Sequence, residues 1–182
     1  MIDPNTSPNG EEFEAYNLRR WGGSGWTIRL RQVGQKDGAS FQNWKWWPHA
    51  LKAHQLIQYA KEKHGVDTNK SNAVLFRALY EEGENVSLSD TLVRIAVDQL
   101  GLPDGTEDGD GVNSGVLREY LEEDAGAEEV LEDIRRSRRM YRTQSVPTFI
   151  IEREEVDGGK APIVLSGAQS SAALLRAFAQ LV

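Results

Sequence analysis

Ser145-Val146-Pro147-Thr148-Phe149-Ile150-Ile151 sets a proline at the mouth of an apolar strand. Proline cannot donate to a sheet ladder, so it belongs at a strand's first residue, on an edge or at a bulge. A turn-rich, charged stretch follows, and Ile163-Val164-Leu165 supplies a second apolar run. Ser166-Gly167-Ala168-Gln169 then leads into a closing helix over 170–181. The order predicts a hairpin and one helix. Two strands alone make a marginal sheet, and their edges need partners. The chain's N-terminus, sequence outside this chain, or a second copy in a homodimer would supply them.

Upstream of the hairpin, helical patterns dominate. A short helix is expected from Glu11 to Trp21, with Phe13, Tyr16 and Leu18 as its apolar contacts, before Gly22-Gly23-Ser24-Gly25 interrupts it. A second, from Trp26 to Gln35, sets Trp26, Leu30 and Val33 on one side. Phe41 to Trp47 holds four aromatics with no helical stripe and reads as an extended segment or loop. If it is extended, alternation puts Trp44 and Trp46 on one side and Trp47 opposite.

Three further helices follow. Ala50 to Lys63 carries Leu51, Leu56, Ile57 and Ala60, and Gly65 ends it. Asn69 to Glu82 carries Ala73, Phe76, Leu79 and Tyr80, and Gly83 ends it. Ser89 is a candidate N-cap for a helix bearing Leu92, Ile95, Ala96 and Leu100. Residues 104–112 alternate Asp and Gly without the twelve-residue calcium-loop frame, so they read as a solvated loop. Ser114 caps a helix to about Asp124. Gly126 breaks it, and Ala127 to Tyr141 continues with Val130, Leu131 and Ile134 as its stripe.

The chain has 182 residues, 39% of them hydrophobic, enough for a domain with a core. Its formal net charge is −7, which argues against a nucleic-acid partner. The run Arg135-Arg136-Ser137-Arg138-Arg139 follows Glu128, Glu129, Glu132 and Asp133, and reads as the cationic end of an acidic-to-basic helix. No stretch approaches the apolar length that spans a bilayer, so no membrane partner is expected. No signal peptide is visible after Met1 and there is no cysteine, so a cytoplasmic setting is the default.

Three islands of sequence resemble one family. The first is Ile2-Asp3-Pro4. The second runs from His49-Ala50-Leu51-Lys52-Ala53-His54-Gln55-Leu56 to Leu75-Phe76-Arg77-Ala78-Leu79-Tyr80, with Glu81-Glu82-Gly83 as its turn. The third is the proline strand with its hairpin and Ser166-Gly167-Ala168-Gln169. In this order they resemble the DsbA-like branch of thioredoxin-fold proteins, which includes FrnE and the hydroxychromene-carboxylate isomerases. The resemblance implies an α/β, thioredoxin-like but incomplete fold, taken as a single domain over 1–182. Residues 11–141 are mainly a helical insertion, and 142–182 are the closing half. It implies a cis Val146-Pro147 bond and disulfide exchange with a protein or small-molecule thiol.

The reactive cysteine pair of that family would precede Met1, so the chain reads as truncated at its N-terminus and inactive in exchange, which requires a thiolate. His49-Ala50 also replaces the family's Asn-Thr. The isomerase and kappa-type transferase members use glutathione, the one cofactor the resemblance suggests. A non-catalytic peptide-binding module is the remaining alternative.

By the same resemblance Val146 offers its backbone to an extended substrate beside Pro147, and Ser145 and Trp47 flank that site. His54 reads as a packing histidine or as a ligand contact. His49, His54 and His64 lack zinc-helix spacing, and no metal is expected. Ser145, Thr148 and Ser166 have no adjacent acid–base pair, so no catalytic residue is assigned.

Overall fold

The computed structural model describes residues 3, 5–103, 114–143, 146–153 and 161–181. They form two compact units, residues 2–130 and residues 131–182. The described residues are rich in helix and carry two small antiparallel sheets.

In the first unit, β1 (Glu11–Glu12) leads directly into α1 (Phe13–Trp21). After the glycine turn comes α2 (Thr27–Lys36), then β2 (Trp46–Trp47). β1 and β2 pair antiparallel, Glu11 opposite Trp47 and Glu12 opposite Trp46. The helical body follows: α3 (Leu51–His64), α4 (Thr68–Arg77), a π-helical turn (Ala78–Glu82), α5 (Ser89–Asp98) and α6 (Ser114–Glu122). α7 (Ala127–Tyr141) begins in this unit and continues into the next.

Leu56, Leu79, Leu92, Ile95, Leu117 and Leu121 are buried in one core built by α3 to α6 and the π-turn. Asp67 caps α4, its Oδ1 accepting from the Asn69 and Lys70 amides at 2.9 and 3.0 Å. Such a cap satisfies two of the four amides that a helix start leaves without partners. Gln55 is fully buried and its Nε2 donates to the Ala125 carbonyl at 2.8 Å, tying α3 to the turn after α6.

The second unit holds β3 (Thr148–Ile151), β4 (Ile163–Ser166) and α8 (Ser171–Leu181). The hairpin register runs from Thr148 opposite Ser166 to Ile151 opposite Ile163. Among the described residues Ile151, Ala177 and Leu181 form its buried cluster, with Phe149, Ile163, Leu165 and Leu174 packed against them. The hairpin and closing helix thus follow the sequence expectation.

Several helix faces differ from it. Leu18 of α1 is exposed, and Asn17 is buried instead, donating to the Phe13 carbonyl at 2.7 Å. Trp26, Leu30 and Val33 are exposed, and Thr27 is α2's buried residue. On α4, Ala73 and Phe76 face outward while Ser71 and Leu75 are buried. The buried positions Ser71, Leu75, Ala78 and Leu79 keep the regular i, i+4, i+7, i+8 spacing, and the stripe begins at a serine that an apolar pattern passes over in favour of Ala73 and Phe76. Ser89 opens α5 without capping it; Leu88 holds the extended cap position, and the Ser89 Oγ accepts from Lys52 Nζ at 3.0 Å. Residues 104–112 lie outside the described residues, as do Ile2 and Pro4.

Candidate functional site

The Val146-Pro147 bond is cis, as the resemblance implied. Val146 is 64% exposed, separated from the start of β3 by Pro147. The Gly167 amide donates to the Pro147 carbonyl at 2.8 Å, so the residue after β4 holds the strand mouth in place. Downstream, Gln169 Nε2 donates to the Ser166 carbonyl at 2.9 Å and closes the turn before α8. The segment Ser166-Gly167-Ala168-Gln169 therefore supports the proline through one backbone bond, from Gly167, while Gln169 braces the turn through its side chain. A groove of about 630 Å³ runs along β3, with Phe149, Ile151, Leu174 and Phe178 among its lining residues. Ser145 lies outside the described residues.

Trp47 and His54 belong to the other unit. Trp47 is half-buried and stacks on Tyr16, the rings 4.2 Å apart and 8° from parallel. The Tyr16 hydroxyl donates to Asp3 Oδ2 at 2.8 Å. Burial pushes the Tyr16 phenol up, and the bond to Asp3 adds to that direction. The Asn5 amide, followed by the Tyr16 hydroxyl, holds the Asp3 carboxyl below its usual range. Trp47 is thereby part of an anchored stack. His54 is exposed on α3, and His49 donates its amide to Ser87 Oγ at 2.9 Å.

The alternation expected for the tryptophans is overturned. Trp44 and Trp47 stack with centroids 5.8 Å apart, while Trp46 packs against the helical core. β2 covers only Trp46 and Trp47, and the chain before it is irregular, with Phe41 at φ 52. A two-residue side-chain period requires a continuous strand, and there is none through Trp44. Trp44 instead sits edge-on to Tyr80 at 4.9 Å and beside Phe13 at 4.5 Å.

A groove of about 680 Å³ opens beside this aromatic group, with Leu30, Phe41, Trp44, Phe76 and Tyr80 in its lining. Sequence patterning did not find it, because Phe76 and Leu30 were assigned to packed faces. Burial raises the Tyr80 phenol, which keeps it protonated. Glu81 fixes the loop beside the groove. Its carboxylate accepts from the Phe41 amide at 2.7 Å, the Gln42 amide at 3.3 Å and the Ser40 hydroxyl. These bonds, the Ser40 hydroxyl first, hold its pKa below the ordinary value.

Among the described residues no group of three His, Cys, Asp or Glu side chains is placed to hold a metal ion. No helix among them is long and apolar enough to cross a membrane. No family model matches the chain, and no curated protein matches it either.

Proposed function

We propose that this chain carries the substrate-facing half of a DsbA-like thioredoxin-type site. In this reading Val146 presents its backbone to an extended peptide or small molecule bearing a thiol or disulfide. Strand addition of this kind draws its affinity from main-chain hydrogen bonds. The observation that carries the reading is Val146, exposed at the mouth of β3 while Pro147 is tethered through its carbonyl to Gly167. The order hairpin, Ser-Gly-Ala-Gln, helix supports it. The chain has no cysteine, so it binds and does not exchange disulfides.

Two measurements test this. Insulin reduction by the 182-residue chain is expected to stay at the buffer rate. Extended peptides are expected to bind equally under reducing and oxidising conditions. Val146→Pro removes an amide donor and should weaken that binding about threefold to tenfold, the worth of one net hydrogen bond. Val146→Ala keeps the donor and should bind as the parent does. Robust turnover overturns the claim of inactivity, and absence of binding to any extended peptide overturns the site. Glutathione binding without peptide binding would transfer the chain to the glutathione-dependent isomerase or transferase class.

A further inference from the structure

The α1–α2 hairpin carries charge and apolar surface that neither the core nor the proposed site uses. From residue 15 to residue 36 there are five cations, Arg19, Arg20, Arg29, Arg31 and Lys36, and no acid. The chain as a whole has a net charge of −7. Arg19 is engaged by Glu11 at 2.8 Å, and Arg31 donates to the Phe41 carbonyl. Arg20 lies over the Trp21 ring at 4.5 Å. Among the described residues, no ion pair is formed by Arg20, Arg29 or Lys36.

The hairpin is held as a shaped element. Trp26 Nε1 donates to Asn17 Oδ1 at 2.8 Å, and Ser24 Oγ donates to Glu14 Oε2 at 2.7 Å, so two residues of the turn before α2 are bonded back to α1. α2 packs through Gly34, where an added Cβ would stand 2.5 Å from the Ala39 carbonyl oxygen and 2.6 Å from the Phe41 ring. At 100° per residue, Arg29, Val33 and Lys36 project roughly opposite Gly34 and Arg31. Val33 is 50% exposed and Ile28 61%. On α1, Leu18 and Trp21 are also open to solvent. Exposed aliphatic side chains and a tryptophan interleaved with arginines are what an interfacial helix presents to lipid. The exposed rings of Trp21 and Trp26 would also suit stacking on nucleic-acid bases, but Leu18, Ile28 and Val33 add aliphatic surface that stacking does not use.

We infer that the α1–α2 hairpin is a docking surface for an anionic lipid bilayer, lying on the headgroup layer without spanning it. The sequence expectation of no membrane partner rested on spanning length, which surface association does not require. Charge complementarity argues for this occupant: five cations without an acid over 15–36 favour approach of this face to an anionic surface, whereas the other arginine run, 135–142, follows Glu128, Glu129, Glu132 and Asp133 and has Arg135 and Arg139 bonded to Glu132.

Sedimentation with phosphatidylglycerol vesicles and with phosphatidylcholine vesicles tests the inference on the full chain. Binding to the anionic vesicles is expected, with little to the zwitterionic ones. It should fall steeply as salt is raised. Arg29→Gln with Lys36→Gln should weaken it roughly twentyfold to thirtyfold, at about 1 kcal/mol per charge. Trp21→Ser should weaken it and remove part of the blue shift in tryptophan emission on binding. These positions are exposed, so the variants should fold, which circular dichroism checks. Equal binding to both lipids, no binding to either, or stronger retention by a single-stranded oligonucleotide than by anionic vesicles overturns it.

Discussion

Glu81 shows how much one carboxylate can organise. It joins the π-turn to the loop 40–42 and so fixes the ring of Phe41 beside Trp44 and Tyr80. Its folded pKa lies below the ordinary 4.5, so its bonds stabilise the fold above that value. The contribution is lost as pH falls through the lower folded pKa. Asp3 acts in the same direction. Urea midpoints followed from about pH 6 to about pH 3 should decline, and Glu81→Gln should flatten part of that decline. Gly126 is the second decisive residue, at φ 78 with the Tyr120 hydroxyl 1.9 Å from where a Cβ would be. Gly126→Ala should cost about 1–3 kcal/mol in denaturant titration, through the left-handed backbone and the displaced tyrosine. Leu56→Ala should cost about 3 kcal/mol, whereas Phe76→Ala, at an exposed position, should change stability by less than about 1 kcal/mol. The break at Gly126 was legible because glycine there interrupts a periodic pattern. Glu81 was not, because its partners lie about 40 residues earlier and no local spacing encodes them.

At the scale of elements, the sequence was read best where one face is buried continuously. α5 shows this: Leu92, Ile95, Ala96 and Leu100 are buried as their spacing predicts. On α4 the apolar pattern points to Ala73 and Phe76, whereas the buried stripe Ser71, Leu75, Ala78 and Leu79 includes a serine that hydropathy does not mark. α2 was given an apolar side that is exposed, because periodicity reports which residues are apolar and not whether anything covers them. Asp67, absent from the sequence reading as a cap, does what Ser89 was expected to do one helix later. Asp67→Ala should lower stability by about 1 kcal/mol, measured by thermal or urea unfolding. The hairpin of β3 and β4 was legible from its two apolar runs. The Gly167 backbone bond and the Gln169 side-chain bond that brace it were visible only as residue identities.

For the whole molecule, the two units differ in how much they bury. The 2–130 unit has a core drawn from four helices, and among the described residues the 131–182 unit has three buried apolar residues, Ile151, Ala177 and Leu181. A two-stranded sheet against one helix is marginal in water. Amide exchange should accordingly be slowest in α3 and α5 and faster in β3, β4 and α8, read by mass spectrometry of the intact chain. Uniform protection across both units would refute this. The distribution of chromophores follows from the aromatic cluster described above. All five indoles, Trp21, Trp26, Trp44, Trp46 and Trp47, lie in the 2–130 unit, and Tyr141 is the sole phenol beyond residue 130. An unfolding curve recorded by indole emission therefore reports the helical unit and is blind to the hairpin, so a single clean optical transition would say nothing about whether the Val146-Pro147 strand was still folded.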